Sequence, residues 1–137
     1  TKEFYHIVKD RLNPGGVMCV QSGASSWTNM ENFAVIVSTL RSVFPIVCPY
    51  QTQVPSFVDM WGFTICSQTV DPTRLSAREI DSRISDKLSR EPKIYDGLTH
   101  QAMFILPKHI RNELVKTDRI ATDQEPIFTY SARNKTA

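Results

Sequence analysis

The feature that most constrains the fold is a charged amphipathic segment followed at once by a tight turn and a short uncharged run. Residues 2–12 alternate charges with apolar side chains at helical spacing, namely Phe4, Ile7, Val8 and Leu12. The proline and glycines of residues 13–16 end that helix in a turn. Residues 17–20, Val-Met-Cys-Val, are too few for a helix, and their lack of charge is typical of a strand buried on both faces. Together these elements predict an α/β sheet.

Two more strands are expected after a second helix. Thr28 and Glu31 match a capping box at the start of that helix. Its apolar face should be formed by Phe33, Ile36, Val37, Leu40 and Phe44. Strands are predicted at residues 46–54 and 61–67, and the link between them is too short for a parallel crossover. The pair should therefore be antiparallel at an edge of the sheet, with residues 17–20 in the interior.

The chain is expected to be the carboxyl-terminal portion of one domain, and this portion should itself have two parts. Residues 1–70 should hold the sheet, and residues 71–137 a helical extension with a tail. Within the extension, residues 99–106 are apolar at their centre but fit a helix and a strand equally well. The end of the chain, beyond Tyr130, is polar and is expected to be mobile.

Helix signals in the extension are more specific. Ser76 and Glu79 form a second capping box ahead of a helix with a thin apolar stripe, which predicts a helix on the surface. Pro107 suits the first turn of a last helix. The inward side chains of that last helix should be Ile110, Leu114 and Val115.

Composition excludes several classes of function. Hydrophobic residues make up 41% and charged residues 22% of the chain, as in an ordinary folded domain and unlike a disordered one. The net charge of +2 gives no indication of a nucleic-acid or membrane partner. No apolar run approaches the roughly 18–20 residues that span a bilayer. Cys19, Cys48 and Cys66 lack metal-ligand spacing and predict reduced thiols in an intracellular, cytoplasmic protein, with an organelle as the alternative.

Signatures of common catalytic and cofactor sites are missing from the sequence. There is no GxGxxG, Walker, GxSxG or HExxH motif. His6 and His109 lie among charged neighbours on predicted helices and should be solvated, whereas His100 should pack beside an apolar patch. The residues alone therefore indicate no catalytic group, no cofactor and no metal.

Two places in the chain remain candidates for a binding site. Gln21 follows the first strand, and ligands of open α/β sheets bind beyond the carboxyl ends of the strands; a glutamine that only caps the loop is the alternative. Residues 54–63 crowd Phe57 and Trp61 around a loop carboxylate, Asp59. This stretch is either a plug over the end of the sheet or a pocket wall whose aromatic faces hold an aliphatic or cationic chain. Asp59 either binds a cation or is an ordinary solvated group.

A series of different short motifs extends along almost the whole chain. They are Phe4-Tyr5, Leu12 to Gly16, Gln21-Ser22-Gly23, Leu40 to Phe44, Val54 to Phe57 with Trp61-Gly62-Phe63, Tyr95-Asp96-Gly97 with Thr99-His100, Met103-Phe104 with Leu106-Pro107-Lys108, and Thr122-Asp123-Gln124 with Pro126. In order and spacing they resemble the carboxyl-terminal half of the polyamine aminopropyltransferases, which are the spermidine, spermine and thermospermine synthases. The Gln-Ser-Gly and Pro-Ser-Phe variants are most similar to the thermospermine-synthase type.

The resemblance implies the carboxyl-terminal part of a Rossmann-like methyltransferase sheet, with an antiparallel edge pair and a helical carboxyl-terminal extension. It implies transfer of an aminopropyl group from decarboxylated S-adenosylmethionine to a polyamine, either spermidine or putrescine. In that family the residues that match Gln21 and Phe57 line the amine channel, and Trp61 would lie near that wall. Asp59 is the only carboxylate near that wall. Many spermidine synthases have a tyrosine that matches Phe57, so this chain keeps the wall but lacks the hydroxyl.

The same resemblance places the glycine-rich nucleotide loop, the ribose-binding acid and the catalytic aspartate upstream of Thr1. The sequence starts without methionine, as expected for a portion of a longer protein. The chain should therefore carry part of the acceptor wall, no catalytic residue and no donor site, and it should be inactive alone. Another chain or a missing segment should cover the open edge of the half sheet, and an oligomer is expected. The alternative is a non-catalytic accessory subunit of a larger assembly built from this fold.

Overall fold

The computed structural model describes residues 1–128 and shows three strands with helices packed around them, as predicted. The elements are α1 (Lys2–Arg11), β1 (Val17–Ala24), α2 (Glu31–Arg41), β2 (Ile46–Val54), β3 (Asp59–Ser67), α3 (Ala77–Lys87), α4 (Gly97–Met103) and α5 (Lys108–Lys116). The prediction of a mobile end beyond Tyr130 falls outside the described residues. No helix within residues 1–128 is long and apolar enough to cross a membrane.

The sheet has the order β1-β3-β2, and both neighbouring pairs are antiparallel. The predicted antiparallel pairing of the second and third strands is confirmed, although β3 starts at Asp59, two residues before its predicted start. The predicted interior position of the first strand is wrong for the described residues. β1 lies at an edge, where its alternate residues Val17, Cys19 and Gln21 are exposed. β1 lies at the edge because no described strand pairs with its outer side, whereas the alternate residues are exposed because they share one face of the strand.

The core of the molecule is built around α2. One cluster joins this helix to α5 and contains Phe33, Ala34, Val37, Leu106, Ile110 and Leu114. A second cluster joins it to α1 and the sheet and contains Tyr5, Leu40, Val43, Phe44 and Cys66. Because α2 contributes to both clusters, its position fixes the sheet relative to the helices on either side.

Three local predictions fail for identifiable reasons. Thr28 does not cap α2, because a tight turn pairs Ser26 with Asn29 and the helix begins after Met30 without a side-chain cap. The apolar stripe of α1 is rotated from the predicted one, so Tyr5 is buried while Phe4 and Ile7 are 56% and 60% exposed. Val115 is exposed as well, because α5 turns only Ile110 and Leu114 fully inward.

The helix signals of the extension are confirmed. Ser76 and Glu79 form the reciprocal capping box of α3. Pro107 directly precedes α5, and part of the ambiguous segment 99–106 lies in α4. His100 is buried, with its ring nitrogens 2.7 Å from the Tyr95 hydroxyl and 2.9 Å from a backbone carbonyl, as expected for a packing histidine.

Candidate functional site

A cavity of about 380 Å³ opens near the carboxyl end of β1, beside the start of α1 and the first turn of α2. Its wall is formed by Thr1, Tyr5, Gln21, Gly23, Asn32, Ile36, Thr39, Trp61, Ala121 and Ile127. The volume is within the range of small-molecule sites. Among residues 1–128, the wall offers amides, hydroxyls and apolar surface, and no acidic or basic side chain. The cavity can therefore orient a ligand but supplies no charge of its own.

A β-bulge in β1 sets the position of Gln21 in this cavity. Gln21 pairs with Phe63 and Gly23 pairs with Gly62, so Ser22 is the extra residue between them. The Ser22 hydroxyl is buried 2.8 Å from the Thr64 hydroxyl, which anchors the bulge. Gly23 has φ +94°, a conformation that side-chain-bearing residues rarely adopt. Bulges of this kind re-aim a side chain at the end of a strand.

Trp61 of β3 forms part of the cavity wall beside β1. It is paired with Ala24 of β1 and with Thr52 of β2, so both neighbouring strands hold it. Its indole Nε1 is buried without a hydrogen-bond partner within residues 1–128. An indole N–H is only a donor, and a buried donor without an acceptor is costly.

The four predicted site residues do not all reach the cavity. Gln21 and Trp61 line it together. Phe57 is 43% exposed and does not line it, but its ring packs on that of Trp61 with centroids 4.6 Å apart. Asp59 is also outside the wall, and its carboxylate accepts a hydrogen bond of 2.7 Å from the backbone N–H of Met60. The substrate-binding roles of these residues remain predictions.

Residues 121–123, called here the covering segment, lie beside the cavity and connect α1 to α2. The carbonyl of Ala121 accepts a hydrogen bond of 2.8 Å from the N–H of Lys2, and the N–H of Ala121 donates to the Thr39 hydroxyl at 2.9 Å. The N–H of Asp123 also donates to the carboxylate of Glu3 at 3.0 Å. The motif that begins at Thr122 thus lies in a segment fixed beside the cavity.

Tyr5, Asn32 and Thr39 also form the wall, although they are not among the predicted site residues. Burial, followed by the proximity of Cys66, raises the pKa of the Tyr5 phenol above its ordinary value, so the group stays neutral at neutral pH. A signal for Tyr5 was available, because it recurs with Val8 and Leu12 at i, i+3 and i+7 on one helix face. Asn32 and Thr39 carry no such signal, since their position depends on how α2 docks.

The buried thiols do not supply a nucleophile. Burial raises the pKa of Cys48 to about 12 and that of Cys66 to about 12, so both thiols are protonated at neutral pH. Among the described residues, no three His, Cys, Asp or Glu side chains come together as a metal site requires.

Comparison with known proteins identifies the relatives of this chain. Residues 1–76 match the model of the spermine/spermidine synthase domain. A polyamine aminopropyltransferase of Hyperthermus butylicus is 43% identical over 128 residues, which is 93% of this chain and 42% of that protein. A polyamine aminopropyltransferase of Sulfolobus acidocaldarius is 36% identical over 129 residues, 94% of this chain and 42% of that protein. The chain thus spans about two fifths of the length of these relatives.

Solved structures agree with the sequence comparison. The spermidine synthase of Thermotoga maritima superimposes with a TM-score of 0.69 at 28% identity, over 85% of this chain and 40% of that one. A spermidine synthase in complex with the transition-state analogue AdoDATO gives a TM-score of 0.71 at 27% identity, with the same coverage. These matches confirm the predicted Rossmann-like fold class. The domain match, the relatives and the shared fold together show that the chain belongs to the spermine/spermidine synthase family.

Proposed function

We propose that the chain forms the acceptor side of a polyamine aminopropyltransferase, which transfers an aminopropyl group from decarboxylated S-adenosylmethionine to spermidine or putrescine. The observation that carries this proposal is the shared cavity of Gln21 and Trp61 at the carboxyl end of β1. The relatives named polyamine aminopropyltransferase support it, as does the structural neighbour that binds a transition-state analogue.

The reaction determines what such a cavity must provide. The lone pair of a neutral amine attacks the carbon beside the sulfonium, a C–N bond forms, the C–S bond breaks with its electrons going to sulfur, and the amine then loses a proton. The amide oxygen of Gln21 can accept a hydrogen bond from the attacking amine and orient it. The aromatic faces of Phe57 and Trp61 suit the cationic and aliphatic parts of a polyamine.

The cavity lacks the acid–base group that the reaction needs. No carboxylate of residues 1–128 lines it, and Asp59 lies outside its wall. A base and the carboxylates that hold the remaining ammonium groups must therefore come from residues outside the described range. Exposed aromatic and amide contacts contribute about 0.5–1 kcal/mol each, whereas a millimolar affinity requires about 4 kcal/mol. We therefore expect no turnover and only weak polyamine binding from the chain by itself.

The edges of the sheet indicate where the remaining part docks. The outer edge of β1 is unpaired within residues 1–128 and contains neither proline nor a charged residue over Val17–Ala24. The outer edge of β2, in contrast, carries Pro49, a residue that discourages strand pairing. We infer that a strand outside the described residues pairs with β1. The exposed Phe4 and Ile7 of α1 provide further apolar surface for the same part of the protein to cover.

A chimera tests the proposed function. The part of the Hyperthermus butylicus relative that precedes its matching segment would be fused ahead of residue 1. Release of the thioether product from decarboxylated S-adenosylmethionine would then be measured with spermidine or putrescine. We expect turnover from the chimera and none from the isolated chain. Turnover by the isolated chain would show that the catalytic groups have been misplaced.

Site variants of the chimera distinguish the enzyme hypothesis from the hypothesis of a non-catalytic accessory subunit. Gln21→Ala should raise the KM for the amine, because it removes the amide that orients the substrate. Gln68→Ala is the matched control, since Gln68 is exposed and lies outside the cavity. A folded chimera without activity, whose relative is active under the same conditions, would contradict the enzyme and favour the accessory subunit.

A further inference from the structure

A second cavity of about 600 Å³ lies on the β2 side of the sheet, with β3 between it and β1. Its wall includes three arginines from separate elements: Arg41 at the end of α2, Arg74 after β3 and Arg111 on α5. Within the described part of the chain, Asp71 is the only carboxylate in this wall. The excess of positive charge distinguishes it from the uncharged cavity at β1, and the proposed transferase function does not account for it.

Two of the three guanidinium groups lack a counter-charge. Within residues 1–128, no carboxylate lies within 4 Å of Arg41 or Arg111, and residues 129–137 contain no Asp or Glu. Asp71 does not contact either group, and its carboxylate is paired with Arg74 at 3.2 Å instead. Burial lowers the pKa of Arg41, as expected for a cation that is partly desolvated without a partner.

Backbone contacts hold both unpaired groups in place. One nitrogen of Arg41 donates to the carbonyl of Leu114 at 2.7 Å, and one nitrogen of Arg111 donates to the carbonyl of Leu106. A guanidinium has five N–H donors in a fixed planar arrangement, so each group keeps donors for a ligand. Fixed forks of this kind suit the bidentate recognition of phosphate and carboxylate.

The remaining wall is apolar and includes Phe104, Leu106 and Leu114. Two uncompensated positive charges match a dianion better than a single carboxylate, and the apolar side chains match an organic group attached to it. We propose that this cavity binds a small organic phosphate monoester, with Arg41 and Arg111 as the ligands of the phosphate. The volume is sufficient for a ligand of nucleotide size.

Phenyl phosphate is the probe for this site. Titration of the 137-residue chain, followed by calorimetry and by amide chemical shifts, should show saturable binding with shifts at Leu106 and Leu114. Inorganic phosphate should bind more weakly, because it lacks the apolar group, and benzyl alcohol should not bind measurably. Absence of saturable binding, or equal affinity for inorganic and phenyl phosphate, would overturn the proposal.

Arginine variants assign the ligands. Arg111→Gln and Arg41→Gln should each weaken phenyl phosphate binding about tenfold or more, because each removes a charged hydrogen-bond donor. Arg111→Lys should retain part of the affinity, since it keeps the charge but loses the planar fork. Arg78→Gln, an exposed position on α3 outside the cavity, is the control and should bind like the unchanged chain. Arg41 and Arg111 are both exposed, so each variant tests the site separately if the other lowers stability. Unchanged binding in folded Arg111→Gln would contradict the assignment.

Discussion

The ring of Phe33 lies directly over Gly62, so close that a Cβ added at Gly62 would be 2.7 Å from Cδ2 of that ring. Phe33 is fully buried in the cluster that joins α2 to α5, and Gly62 precedes Phe63 in the central strand. This contact therefore sets the distance between α2 and the sheet. It also fixes the backbone beside Trp61, on which the cavity at β1 depends.

Gly62→Ala should destabilise the fold by about 1–3 kcal/mol, because the added methyl group overpacks a core that has no room for it. Urea denaturation gives the free energy of unfolding. Phe33→Leu should recover part of the loss in the double variant, since it shortens the side chain that clashes. A Gly62→Ala variant as stable as the unchanged chain would show that the two elements can separate freely.

Thr39→Val should weaken the attachment of the covering segment, residues 121–123, to α2 beside the cavity at β1. The hydroxyl of Thr39 donates to the carbonyl of Val35 at 2.7 Å and accepts from the N–H of Ala121 at 2.9 Å, and both bonds are buried. Its loss leaves a buried N–H without an acceptor, which costs about 1–3 kcal/mol. Hydrogen exchange at the Ala121 amide should become faster. Thr69→Val, an exposed control, should leave that exchange rate unchanged.

Acid should weaken the helical extension. A hydrogen bond from the Thr73 hydroxyl lowers the pKa of Asp71, and one from the Thr99 N–H lowers the pKa of Asp96. A carboxylate whose pKa is lower in the folded state stabilises the fold above its unfolded pKa of about 4, and this stabilisation disappears as the pH falls through the folded value. Thermal melts at decreasing pH check the expected loss. Asp96→Asn should reduce the pH dependence, whereas Asp118→Asn, an exposed control, should not.

One thiol should react in the native chain and three after unfolding. Cys19 is exposed, whereas Cys48 and Cys66 are buried and burial raises the pKa of each to about 12. The reaction with a thiol reagent that releases a chromophore, followed at mildly alkaline pH, gives the numbers of rapidly and slowly reacting thiols. Cys19→Ser should abolish the fast phase. Rapid reaction of two or three thiols in folded protein would show that the sheet opens readily.

Local signals predicted most of the secondary structure. The capping box of Ser76 and Glu79 and the proline before α5 act within a few residues, so the sequence alone contains the necessary information. Thr28 fits the same pattern but fails, because the turn that pairs Ser26 with Asn29 displaces the start of α2. Such competition between two local structures is decided by the surrounding packing.

Positions set by long-range packing could not be predicted in the same way. The uncharged run of β1 indicates an interior strand buried on both faces, yet its alternate residues are exposed on one face and no strand among residues 1–128 pairs with its outer edge. For the candidate site, the rule for strand ends and the motif match located Gln21 and Trp61 on one cavity. They did not show that Phe57 would pack behind Trp61, because the orientation of that loop depends on tertiary contacts.

The antiparallel sheet also implies an order of assembly during folding. β2 and β3 are joined by only residues 55–58, whereas β1 must close a loop of more than thirty residues to reach β3. Because loop closure costs more entropy as the loop lengthens, the β2–β3 hairpin should form first and β1 should join it later. The strand with the unprotected edge is then the last to enter the sheet. Until it does, the half-formed sheet presents the open edge of β3 to other chains.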